Sequence, residues 1–315
     1  MEVFEMSGIK FLFAGLFLFS LLNLPAEIVK EDADSVTFRQ PDRALVTVAK
    51  RPQRVVVGYA SLAGVWHLAG GTAVAVPNIH EKSVLPESMR GLPTAGSATV
   101  PNVEKIVALK PDFVLLTAKL VRHRETANLL RSSGIPAICV EYNHYRDFHA
   151  LLDLFCRING RSVDTVAAAK KVMQEVEQIC FRTKDLTAPR CAIIFASSAG
   201  FSLESPRTNT GCMAAMLGAE NIRKTELPAR MPFSYEQFLL SDPDVIFVVM
   251  MGDAEGLKKK FQRELMSQTT WKKLSAMKSG RVHFLPTDLF LYMPGARYPE
   301  AFRHLASLLY PGKEF

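Results

Sequence analysis

Aromatic rings and cationic groups are the side chains here whose positions suggest shared chemistry. Tyr59, Tyr142, Tyr145, Phe290 and Tyr292 each lie just beyond an apolar run, and Lys119, Arg122, His123, Arg124, His144, Arg207 and Arg297 stand at similar places. Flat ring faces beside guanidinium forks suit a bulky anionic ligand, a chelate above all. Tyr59, Arg122, Tyr142 and Arg297 lead this candidate set, with His144 and Tyr292 completing it. Any one such residue more often packs at a surface than touches a ligand, so the expectation rests on the group. A reactive constellation is missing: the sequence has no G-x-S-x-G elbow, H-E-x-x-H pair, P-loop or dinucleotide fingerprint. We therefore expect no enzyme, no catalytic residue and no catalytic cofactor. The seven histidines are dispersed, and no resident metal site is expected. A bare ion such as zinc stays open only if His80, His123 and His144 converge.

The elements that must position these groups alternate. Short β-branched or apolar runs at 54–58, 73–76, 113–116 and 137–140 read as strands, and helical spacing follows at 62–68, 125–132 and 147–158. A second series carries strands at 191–195, 245–250 and 282–285, with helices near 212–217 and 300–309. Such alternation argues for parallel sheets covered on both faces. Between the series, Ser162 caps a helix of some twenty residues ending before Pro189. The fold expected is α/β, two doubly wound α/β lobes joined by a single long helix, with a ligand cleft between them. In open parallel sheets ligands sit beyond the carboxyl ends of the strands, which is where the rings and cations above fall. Residues 36–160 form the N-terminal lobe, 161–187 the connecting helix and 188–315 the C-terminal lobe. Thr37 to Ala49 reads as a hairpin turning at Gln40-Pro-Asp42, and residues 27–35 as a mobile lead-in.

One unit is written twice. Pro101-Asn-Val-Glu-Lys-Ile-Val-Ala-Leu-Lys-Pro-Asp112 and Tyr235-Glu-Gln-Phe-Leu-Leu-Ser-Asp-Pro-Asp-Val-Ile246 each give a short helix with a glutamate near its start, a proline stop and a buried strand. On sequence logic Glu104 and Glu236 are first-turn acids favoured by the helix dipole. The pair resembles the signatures of the periplasmic binding proteins that feed ABC importers of ferric siderophores, haem and cobalamin, and the resemblance covers nearly the whole chain after about residue 38. It implies a monomer that delivers a small-molecule metal chelate to permease subunits in the inner membrane. One exposed glutamate per lobe, Glu104 and Glu236, would dock into arginine pockets of the permease. Met293-Pro-Gly-Ala-Arg-Tyr-Pro299 is similar to a Gly-Pro-Arg turn of many relatives. Haem-binding relatives ligate iron through a tyrosine in the loop before the first glutamate helix, where this chain has Gly96-Ser97-Ala98. A metal oxyanion such as molybdate or tungstate stays open as an alternative ligand.

Composition fits this outline. The 315 residues are 48% apolar and 22% charged, a globular balance with room for two lobes. The net charge of +7 favours an anionic ligand or surface. Apart from Lys258-Lys-Lys260 the positive residues are scattered and no basic stripe interleaves with aromatics, so no nucleic-acid partner is expected. Ile9 to Leu22 is short for a membrane span and suits the apolar core of an export signal over residues 1–26. Glu2 and Glu5 are unusual there, although a start at Met6 would remove them, and an uncleaved anchor is the alternative. No cysteine follows that could carry a lipid, which points to the periplasm. Cys139, Cys156, Cys180, Cys191 and Cys212 read as buried thiols, with a Cys180–Cys191 bridge left open.

Overall fold

A computed structural model describes residues 27–315 except Pro41, Thr225, Leu227, Ser234 and the side chain of Gln237. The expected export signal lies outside the described residues. The chain opens with a three-stranded antiparallel sheet, Glu27–Glu31, Ser35–Arg39 and Leu45–Ala49. Its first strand falls in the stretch expected to be a mobile lead-in. The Asp32 carboxylate orders the turn by accepting the N–H groups of Asp34 and Ser35, at 3.0 and 2.8 Å.

The first lobe is built on parallel strands Val55–Val57, Phe113–Thr117 and Ala137–Val140, all buried, and isolated pairing of Val56 with Ala75 leads to a second parallel pair, Val76–Asn78 and Thr94–Ser97. The second lobe is mixed rather than purely parallel. Arg190–Ser197, Val245–Met251 and Val282–Phe284 run parallel, but Gly200–Glu204 returns antiparallel to the first and carries Arg230–Pro232 on its far edge. Those two short strands lack a strong apolar alternation and were not legible as strands.

The duplicated unit has a physical basis. In both copies the residue before proline adopts a left-handed backbone, Lys110 at φ 46° and Asp242 at φ 37°, which ends the helix and admits Pro111 and Pro243. The following aspartate then anchors the neighbouring strand. Asp112 accepts N–H bonds from Gln53 at 2.6 Å and Arg54 at 2.9 Å, and Asp244 accepts one from Arg190 at 2.8 Å. Each Pro-Asp thus stops a helix and sets strand register in one step.

The connecting helix is shorter than the spacing suggested. Ser162 caps a single 3₁₀ turn, Val163–Thr165, and the α-helix runs only over Ala167–Thr183. It buries Ala169, Val172, Val176 and Ile179 and lies against the last helix, Tyr298–Leu309, to which Glu175 is tied by Arg303. Tyr145 and Phe148 of the first lobe pack on Tyr298 and Phe302 of that helix, with ring centroids 4.8 to 5.5 Å apart. One apolar core therefore runs through both lobes, from Trp66 and Phe155 to Phe247 and Leu305. All five cysteines are free, and Cys191 is buried in its strand without a bridge to Cys180.

The shared core makes a prediction. The chain has one tryptophan per lobe, Trp66 and Trp271. In Trp66→Phe and Trp271→Phe variants, urea unfolding followed by the remaining tryptophan should coincide with the loss of helical circular dichroism. Phe302→Ala should cost about 3–5 kcal/mol of stability. Separate transitions for the two lobes would contradict a common core.

Candidate functional site

Both glutamates occupy the first turn of a short helix and both are exposed. The first helix, Val103–Ala108, is capped by Asn102, whose side chain accepts the Lys105 N–H at 2.8 Å. The loop before it is fastened by His123. This buried ring faces the Ala98 carbonyl through Nε2 at 3.2 Å and accepts the Thr117 N–H at Nδ1, 3.4 Å away. Thr117 ends a strand and Asp112 precedes it, so the glutamate helix runs from the carboxyl edge of the sheet back to its amino edge. The helix Tyr235–Ser241 does the same in the second lobe, entered from Arg230–Pro232 and left through Asp242-Pro-Asp244.

Lys119 of the first lobe and Arg230 of the second lie near enough to influence each other electrostatically. Lys119 follows the strand Phe113–Thr117 and reaches solvent, yet protein surrounds it closely enough that lost hydration pulls its ammonium down to about 8. Asp147 and Glu141 oppose that shift, and Arg230 of the other lobe adds to it. Arg230 lies flat over the Phe195 ring, 3.6 Å from its centroid, and donates from Nε to Glu204 at 2.8 Å. Glu204 is only 2% exposed, so the guanidinium neutralises a buried carboxylate. Tyr59 is half-buried beside these groups. Burial pushes its hydroxyl pKa up, against the hydrogen bond of Ser61 and the charge of Arg230. Tyr292 joins from the second lobe, its pKa raised by burial and by the neighbouring Glu81 and Tyr59. The segment carrying it crosses to the first lobe, where the Met293 N–H donates to Ser61 Oγ at 3.4 Å.

The residues expected from sequence divide accordingly. Tyr59 and Tyr292 come together across the lobes. His144 stands near Lys119, its Nδ1 3.4 Å from Asp147, with burial lowering its pKa. Tyr142 instead lies inside the core, 1% exposed and beside Tyr298, because the chain turns inward after Val140. Arg122 is a surface residue paired with Glu125 at 3.0 Å. Arg297 is held by Glu300 at 2.7 Å and Asp288 at 2.8 Å, which fills its donors and raises its pKa. Among the described residues no three His, Cys, Asp or Glu side chains gather as a metal ion would need, so His80, His123 and His144 do not form the set required for bare zinc. No helix among them is long and apolar enough to cross a membrane.

The sequence profile of the periplasmic binding proteins matches residues 55–289. The chain belongs to this family. Among curated members it is similar to the high-affinity heme uptake system protein IsdE of Staphylococcus aureus strain MRSA252, 23% identical over 238 residues that span 73% of this chain and 78% of that one. Solved structures share the fold. An ABC transporter substrate-binding protein from Listeria monocytogenes EGD-e superposes with a TM-score of 0.71 at 20% identity, covering 83% of this chain and 99% of the other. The haem complex of S. aureus IsdE gives 0.68 at 21%, covering 82% and 98%. The periplasmic vitamin B12 binding protein BtuF of Vibrio cholerae gives 0.66 at 21%, covering 82% and 97%. The two-lobe α/β architecture of periplasmic binding proteins is thus the fold of this chain.

In this family member the residue that sequence reasoning missed is Arg230. The cleft rule directs attention to residues that follow parallel strands, whereas Arg230 lies on an antiparallel edge. A signal was available in the duplication: Arg230 precedes the Glu236 helix as Gly96-Ser97-Ala98 precedes the Glu104 helix.

His123 also yields a test. Burial holds its ring pKa down to about 4, against the pull of the Ala98 carbonyl. In the unfolded chain such a ring takes up a proton near pH 6.5. The unfolded state then binds more protons, so stability is full above about 6.5 and is lost as pH falls towards 4. Urea midpoints at pH 7 and pH 5 should differ less in His123→Gln than in the parent, and equal slopes would contradict the assignment.

Proposed function

We propose that the chain carries a metal chelate, a ferric siderophore, a corrinoid or a haem, in the cleft between its lobes, and that as an exported monomer it hands this cargo to the permease of an ABC importer in the inner membrane. One observation carries the reading: the duplicated unit presents an exposed glutamate in the first turn of a short helix in each lobe, Glu104 and Glu236. Apolar side chains beside the acids support a docking face, since Val107 stays 42% exposed near Glu104 and Leu240 81% exposed near Glu236. Charge-assisted contacts at two fixed points would set orientation and partner choice. IsdE by its name serves heme uptake and BtuF binds vitamin B12, both compatible with a large flat or globular chelate.

Within that class haem is the least supported cargo. Gly96, Ser97 and Ala98 offer no tyrosine, and burial disfavours the phenolate of Tyr59. A second reading, a metal oxyanion, draws support from the Lys119 and Arg230 charges alone. The visible spectrum separates the two, because iron and cobalt chelates are coloured and molybdate is not.

Charge reversal tests the delivery role. Glu104→Arg or Glu236→Arg should abolish uptake through the reconstituted importer while leaving the affinity of the soluble protein for its chelate unchanged. Loss of soluble binding in these variants would contradict a docking role for the two acids.

A further inference from the structure

The run Lys258-Lys-Lys260 stands alone in the sequence, but folding gathers more charge around it. Residues 253–281 hold eight of the chain's 38 Lys and Arg residues and three of its 31 Asp and Glu. Arg281 donates to the Leu308 and Leu309 carbonyls at 3.0 and 2.8 Å, and Arg263 pairs with Glu264 at 3.1 Å. The other six are Lys258, Lys259, Lys260, Lys272, Lys273 and Lys278, whereas the ion-paired lysines among the described residues are Lys30, Lys50 and Lys171. We propose that these six form a contact surface for the anionic phospholipid headgroups of a bilayer, set beside the glutamate helix Tyr235–Ser241. The proposal goes beyond the docking acids, since it concerns lipid and needs neither cargo nor importer to be read.

One aromatic floor holds the lysines together. In the helix Ala254–Phe261 the buried side chains are Leu257 and Phe261, so Lys259 points outward and Lys258 and Lys260 flank the buried stripe. The Lys258 ammonium lies 5.5 Å from the centroid of Phe284 and that of Lys260 5.6 Å from Phe201, which keeps both stems on rings and both charges at the surface. Phe261 touches those two rings at 5.4 and 5.5 Å and reaches Trp271 at 5.8 Å. Lys272 and Lys273 follow Trp271 directly and are exposed. Trp271 in turn stacks on Phe238 of the glutamate helix, 4.9 Å away and 9° from parallel. Lys278 ends the helix Ser275–Lys278, whose first residue donates from N and Oγ to Asp242 at 2.7 and 2.8 Å, just after the glutamate helix. The exposed Glu236 and the lysines are therefore mounted on the same packed rings.

The chemistry of the patch favours headgroups over a protein partner. Its free cations are all lysines, point charges on flexible stems that follow mobile phosphates, while the two guanidinium forks that would read a protein carboxylate are already engaged. Clusters of four to eight basic residues at a surface attract anionic lipid, and the attraction fades within a Debye length. The acids of this face do not cancel it: Glu264 is taken by Arg263 and Asp242 by Ser275, which leaves Asp253 and Glu255 against six ammonium groups. A helix that brings Glu236 to a membrane protein brings the lysines beside it to the surrounding bilayer.

The test is co-sedimentation of the full chain with vesicles of phosphatidylglycerol and phosphatidylcholine in equal parts. Vesicles of phosphatidylcholine alone are the reference, because the apolar run Ile9–Leu22 could enter any bilayer. The parent should bind the anionic vesicles more tightly, by a margin that shrinks as salt is raised. At about a five-fold factor per lysine, the triple variants Lys258→Gln/Lys259→Gln/Lys260→Gln and Lys272→Gln/Lys273→Gln/Lys278→Gln should each lose roughly 100-fold of that margin. Circular dichroism checks that both fold. Lys170→Gln/Lys171→Gln/Lys184→Gln removes the same charge along the connecting helix and should bind like the parent. An equal loss in this control, or parent-like binding by both patch variants, would overturn the lipid contact. So would patch variants that keep vesicle binding but lose affinity for the detergent-solubilised importer, which would assign the lysines to a protein partner. Glu236→Arg should keep vesicle binding while losing uptake, so the lipid contact and the docking acid fail separately.

Discussion

The packing of Tyr145 and Phe148 against Tyr298 and Phe302 is the contact on which the rest of the molecule depends. It fuses the first lobe to the last helix, which in turn lies along the connecting helix. Aromatic pairs of this kind bury large areas and prefer tilted geometries, so they fix orientation as well as distance. The core is continuous through this junction, from Trp66 of the first lobe to Phe247 of the second. Arg230 can then influence Lys119 electrostatically although 110 residues separate them in sequence. A junction of exposed loops would allow wider hinge motion than a packed one.

That stiffness suits delivery. Each glutamate sits on a helix followed by a Pro-Asp step that ties its end to the sheet, and the first helix is capped at its front by the Asn102 side chain. His123 links the first of these helices to the end of the strand that leads into Lys119.

Much of this was legible in the sequence because local rules and tertiary structure agree. The parallel strands are short buried runs, and the glutamate units announce themselves through Pro-Asp stops whose carboxylates have a second use in strand register. Legibility failed where side-chain pattern gave way to neighbours. The strands Gly200–Glu204 and Arg230–Pro232 are edge pieces held by pairing, and Arg230 went unnoticed with them. Tyr142 follows a strand as a ligand-touching residue would, but the chain turns it into the core. Arg297 sits in the turn that family resemblance highlights, yet Asp288 and Glu300, nine and three residues away, already claim its donors. Sequence spacing locates the edge of a cleft and does not reveal which charges are already neutralised. That depends on contacts between segments far apart in the chain.

The central claim is that twin lobes of a periplasmic binding protein enclose a metal chelate, and native mass spectrometry of the protein purified from its own source tests this most directly. The account predicts one intact chelate per chain, released under gentle activation with its metal still bound and absorbing visible light. A chain carrying only a bare metal ion or a colourless oxyanion would contradict it.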